Sequence, residues 1–215
     1  MRTSDLILER CEDALAAMLS HRFVEDVCAD RLPTPVLHRY LVQEGLFVET
    51  AIEIVALGTA RAPDIMTRRH LIAVQDALAN VQVPYFEARF ARLGLAPPAT
   101  LPERARGLGE GALAIAWSGD FLDIAAALFA AEWMYEQWCA RAAETPSADP
   151  DLREWVALHV DDAFRSQVRW LADAIDAHAG RDDVDRLAAI VERVTRLEIE
   201  FHHAPYDDPA PGTAA

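Results

Sequence analysis

Apolar residues recur along nearly the whole chain at steps of three and four, and no stretch alternates apolar and polar residues over a useful strand length. That period marks helices with one buried face, so it confines the chain to an all-α fold. Leu6, Leu8, Cys11, Leu15, Met18 and Leu19 keep it through a first helix that Ser4–Asp5 can cap. RLPTP, with Pro33 and Pro35, breaks the chain, and a long helix is predicted from about Pro35 to Thr59. Ala62–Asp64 opens the next, about Ile65 to Leu93. After the loop LGLAPPAT comes a helix through Leu101–Trp117, weakened by three glycines. Ser118–Asp120 offers an N-cap to a helix that stops near ETPSADPD. One helix is then expected from Leu152 to Gly180, and a last from Val184 to Pro205. The sum is a single-domain bundle of about seven helices over 1–206, with a polar, flexible tail at 207–215.

Charge narrows the partners. A net charge of −15 and a pI near 4.8 disfavour nucleic acid and anionic membranes, both polyanions. Three widely spaced cysteines suit a reducing compartment. The N-terminal stretch carries acids within its apolar pattern and does not read as a signal peptide, and no charge-free apolar run is long enough to span a membrane. The expectation is a cytoplasmic protein.

No Gly-rich phosphate loop, HExxH, GxSxG or paired-cysteine motif is present, so a site would be built between facing helices. Acids in apolar helices are the candidates. Glu132, in FAAEWMYEQW, follows eight apolar residues, Ile124–Ala131, on a helix apolar nearly all round. Burial of its carboxylate would be costly without a partner. Glu44, in YLVQEGLFVE, reads equally well as buried or exposed. Glu198 shares a face with His202 at i+4 and reads as an ordinary surface pair. His21 and His38 fit capping or packing roles.

Four segments then carry a resemblance, in order and over nearly the whole chain: LSHRFVEDVCADRLPTPVLHRYLVQEGLFVE, FAAEWMYEQW, LREWVALHVDDAF and LEIEFHHAPY. Together they resemble the TenA/thiaminase II family. The resemblance implies a haem-oxygenase-like all-α bundle, a homo-oligomer (dimer or tetramer), and hydrolysis of aminopyrimidines released from degraded thiamin. One branch of that family uses a cysteine nucleophile where this chain has Ala131. Glu132, Tyr135 and Glu136 are similar to the branch that carries a glutamate one position along.

Carried over by position, the resemblance implies that Glu44 grips the pyrimidine's amine and ring nitrogen, while Phe47 faces the ring and His159 lines the pocket. Tyr135 would bond near the reacting atom, Glu198 would be the acid/base on the leaving group, and Glu132 would activate water. No cofactor or metal is implied. The chain departs from the pattern at Glu44 (usually Asp), at Arg106 (nearest to a usual tyrosine), at His159 (usually aromatic) and at His202 (usually Trp). An iron oxygenase of the same bundle class, with Glu44, Glu132, Glu198 and His202 as ligands, is the alternative. Against it, Tyr135 occupies the position where those enzymes place a histidine. A non-catalytic small-molecule-binding member is a further alternative.

Overall fold

Aspartates open several of the helices. Asp64, Asp120, Asp149 and Asp161 each stand one residue ahead of a helix and accept from backbone N–H groups of its first turn. Each satisfies donors that a helix start otherwise leaves bare. The computed structural model describes residues 1–207. Its elements are α1 (Thr3–Arg10), α2 (Glu12–Leu19), α3 (Arg22–Cys28), α4 (Thr34–Arg61), α5 (Ile65–Ala77) and α6 (Val83–Leu93). They continue as α7 (Glu103–Ser118), α8 (Phe121–Ala143), α9 (Pro150–Leu158), α10 (Asp162–His178) and α11 (Val184–His203), with no strand among the described residues. The fold is all-α, as the period predicted.

The differences from expectation are breaks inside predicted helices. The first helix is interrupted at Cys11, and a separate α3 follows His21, whose Nδ1 accepts from the Phe23 N–H. Between α5 and α6 the helix widens into a π-turn, Leu78–Gln82. Pro84, at the start of α6, cannot donate and crowds the carbonyl four residues back, so a looser turn relieves it. The helix expected over Leu152–Gly180 is two helices. Asp161 captures the Phe164 N–H and starts α10 afresh, leaving His159 as the terminating residue of α9.

α4, α8 and α11 bear several of the largest buried side chains: Tyr40 and Leu41, Phe129 and Trp138, and Phe201. Trp155 of α9 packs against Trp138, ring centroids 5.4 Å apart and nearly parallel. The glycines that weaken α7 as a helix let it approach its neighbours: a Cβ on Gly111 would overlap Leu197 of α11. Gly45 does the same for α4, where a Cβ would strike Phe90 and Phe86 of α6. These approaches bring Glu44 and Glu198 inside the bundle.

After α11 a 3-10 turn, Ala204–Tyr206, folds back. The Tyr206 hydroxyl donates to Asp26 (2.8 Å), its ring lies under Arg22, and Asp207 pairs with Arg104. The first residue of the expected tail is thus held by an ion pair; 208–215 lie outside the described residues.

Candidate active site

Tyr40 and Glu44 stand one turn apart on α4, as Glu198 and His202 do on α11, and Tyr135 and Trp138 lie three residues apart on α8. Those spacings put each pair on one helix face. The faces meet in an aromatic-walled interior. Tyr40 and Tyr135 share a hydrogen bond between hydroxyls at 2.8 Å. Tyr135 lies 5.3 Å from the ring of His159, 5.5 Å from His202 and 5.8 Å from Trp155, centroid to centroid. Glu44 Oε1 is 3.8 Å from His159 Nε2.

Glu198 is 1 % exposed and His202 not at all, so the surface-pair reading is wrong. The helical period made them neighbours but did not say which face turns inward. His202 Nδ1 donates to the Glu198 carbonyl at 2.8 Å, which leaves its Nε2 bare, buried and without a partner. Burial, before anything else, lowers the imidazole to about 3. His159 is similar: Nδ1 donates to the Trp155 carbonyl at 2.9 Å, and burial lowers its pKa to about 4. Both rings are therefore neutral acceptors at Nε2.

The acids go the other way. Burial pushes Glu198 up to about 8. It does the same to Glu44; the indole N–H of Trp155 opposes the rise, Glu198 adds to it, and Arg89 and the Tyr40 hydroxyl oppose it. At neutral pH Glu44 carries its proton beside the bare Nε2 of His159. Glu44 and His159 keep 14 % and 16 % of their side-chain surface accessible, and Tyr135 and Glu132 are likewise only partly buried. These side chains line a cleft rather than a sealed core.

Glu132 belongs to another part of it. Desolvation pushes it up to about 8, and Gln167 of α10 opposes that rise. Glu44, Tyr135, His159 and Glu198 thus come together, while Glu132 stands with Gln167. Phe47 lies to the other side, 6.2 Å from the ring of Phe201. With Thr50, Leu101, Arg106 and Gly109, the two phenylalanines line a groove of about 190 Å³ between α4 and α7. Sequence reasoning missed Tyr40, Trp155 and Gln167. The i, i+4 spacing of Tyr40 to Glu44 was a usable signal; nothing local marked the other two. Among the described residues, no three His, Cys, Asp or Glu side chains are grouped to hold one metal ion, and the iron alternative finds no ligand set there. Also among those residues, no helix is long and apolar enough to cross a membrane.

Known proteins resemble this chain over nearly its full length. The solved TenA homologue from P. horikoshii OT3 superposes with a TM-score of 0.86 at 20 % identity, covering 96 % of this chain and 99 % of its own. A TenA homologue from Pyrococcus furiosus also gives 0.86 at 20 % identity, covering 95 % and 100 %. These share the fold. In sequence, a protein named aminopyrimidine aminohydrolase from Halalkalibacterium halodurans is 24 % identical over 94 % of both chains. Another of that name, from Helicobacter pylori, is 22 % identical over 96 % of this chain and 99 % of its own. A profile described as the TENA/THI-4/PQQC family matches residues 8–208, nearly all of the sequence. The chain belongs to the TENA/THI-4/PQQC family.

Proposed function

We propose that the protein is a hydrolase of aminopyrimidine or N-formyl-aminopyrimidine products of thiamin degradation, of the glutamate-bearing type without a cysteine nucleophile. The observation that carries the reading is the gathering of Glu44, Glu198, Tyr135 and His159 in an aromatic cleft, with Glu44 and Glu198 held in the acid form by burial. The names of the two aminohydrolase relatives support the substrate class.

A neutral Glu44 donates its O–H to the ring nitrogen of an aminopyrimidine and accepts from the exocyclic amine, a two-bond match to that edge. His159 Nε2, its lone pair free, lies 3.8 Å from Glu44 Oε1 and leaves the Glu44 proton to the substrate. Tyr135, bonded to Tyr40, directs its hydroxyl at the reacting atom. Glu132 removes a proton from water, whose oxygen bonds to the carbon bearing the leaving nitrogen. The C–N bond breaks, and Glu198 gives its proton to the departing amine. Raised carboxyl pKa values suit both roles near neutral pH.

No thiol is needed. Ala131 precedes Glu132. The nearby thiol of Cys139 is fully buried and pushed well above its usual range by desolvation and by Glu44, so it stays protonated. Large apolar side chains left exposed, among them Ile65, Met66 and Trp117, support a homo-oligomeric state. Three free cysteines support a cytoplasmic setting.

The test is incubation of metal-stripped protein with 4-amino-5-aminomethyl-2-methylpyrimidine and its N-formyl derivative, following amine or formate release by mass spectrometry. Turnover that falls by about 10²- to 10⁴-fold in Glu132→Gln is the expected result. No release from either compound would dismiss the substrate assignment.

A further inference from the structure

The two ends of the Gln167 amide are engaged differently. Its Oε1 lies 2.7 Å from His70 Nε2 of α5, and because an amide oxygen only accepts, that nitrogen carries the proton. His70 is held face to face on Trp170, ring centroids 3.8 Å apart and 17° from parallel. The amide's other end, Nε2, is buried with no partner, and so is Glu132 Oε2. One is a donor and the other an acceptor, and Gln167 is the side chain that acts on Glu132. An apolar residue would fill the same space on α10 without the desolvation cost of an amide.

We propose that His70 and Gln167 form a positioning arm for Glu132: His70 fixes which end of the amide turns inward, and Gln167 Nε2 donates to the ionised Glu132 carboxylate. The inference rests on the reading of Glu132 as the water-activating group. The arm joins α5, α10 and α8, so the base is aimed by tertiary packing and not by its own helix. Among the titratable groups of the surrounding elements, Glu44 of α4, His159 of α9 and Glu198 and His202 of α11 do not shift Glu132; His70 of α5 reaches it only through Gln167.

The test is a carbon-13 NMR titration of the Glu132 carboxyl in the full chain, with the resonance assigned by Glu132→Gln. In Gln167→Leu the midpoint is expected to rise by about half a unit or more, because the donor to the charged form is gone. His70→Leu should move it the same way by less, and His70→Gln, which keeps a donor to Gln167, should restore it. An unmoved midpoint in Gln167→Leu overturns the arm. If that variant fails to fold, Gln167→Glu keeps the acceptor for His70 but removes the donor, and must raise the midpoint. In turnover, Gln167→Leu should lower kcat about tenfold or more with KM changed less than about twofold, and add nothing in a Glu132→Gln background. Equal losses in both backgrounds would make Gln167 a structural residue only. If the wild type turns over neither pyrimidine, the functional reading falls, and the titration still decides the arm.

Discussion

The fold buries acids in two contrasting ways. At the start of α9, Asp151 is paired with Arg89 at 3.1 Å and with Arg92, and Arg89, itself 3 % exposed, also reaches Glu154 at 2.9 Å. Arg92 and then Arg89 outweigh burial there and hold Asp151 below its ordinary range. In the cleft, Glu44, Glu132 and Glu198 are paired with no arginine among the described residues, and burial pushes each up to about 8. A paired buried charge anchors helices; unpaired carboxyls cost stability and are poised to exchange protons. The two regions are joined by α9, which is pinned by Asp151 at one end and presents Trp155 and His159 to the cleft at the other.

Several substitutions break or sharpen that contrast. Glu198→Gln should lower kcat by about 10²- to 10⁴-fold, the usual span for a lost general acid or base, while the urea midpoint stays level or rises. Full activity would remove Glu198 from the mechanism. On the anchored side, Arg89→Met should cost about 3–5 kcal/mol in urea unfolding, because it strips one of the two arginines from a buried Asp151. A loss well under about 1 kcal/mol would mean that Arg92 alone suffices and that the two regions differ less than described.

Glu44→Leu should raise KM about ten- to a hundredfold through loss of the two bonds to the substrate edge, again without loss of stability. A KM that stays put would move substrate recognition elsewhere.

The smallest effect is a slope with pH. The three cleft acids have native values above the ordinary 4.5, so the folded chain holds more protons than the unfolded one between 4.5 and about 8. Their contribution to stability is full below the ordinary carboxyl range and is lost as pH rises through about 8. Asp151 runs the opposite way: its contribution is present above the ordinary aspartate range and is lost as pH falls below it. Melting temperature should therefore decline from about pH 5 to about pH 9, more shallowly in Glu198→Gln. An identical slope in that variant would contradict the raised value at Glu198.

The spacing of apolar residues alone determined the all-α class, because a repeat of three to four residues can bury a face only in a helix. It also determined the reach of α4, the Asp64 and Asp120 starts, and the shared face of Glu198 and His202. Periodicity is blind to which way a face turns. Glu198 and His202 therefore looked like a surface pair and lie in the interior, where Phe23 of α3, Tyr40 of α4 and Tyr135 of α8 pack around His202. The interruption at His159–Asp161 was visible only once the Asp161 side chain was seen to win the Phe164 N–H. Tertiary structure alone also decided that Glu132 faces Gln167 while Glu44 meets His159 and Tyr135 meets Tyr40. Those partners come from helices far apart in the chain. Their pKa values follow from burial and neighbours that exist only after the helices pack.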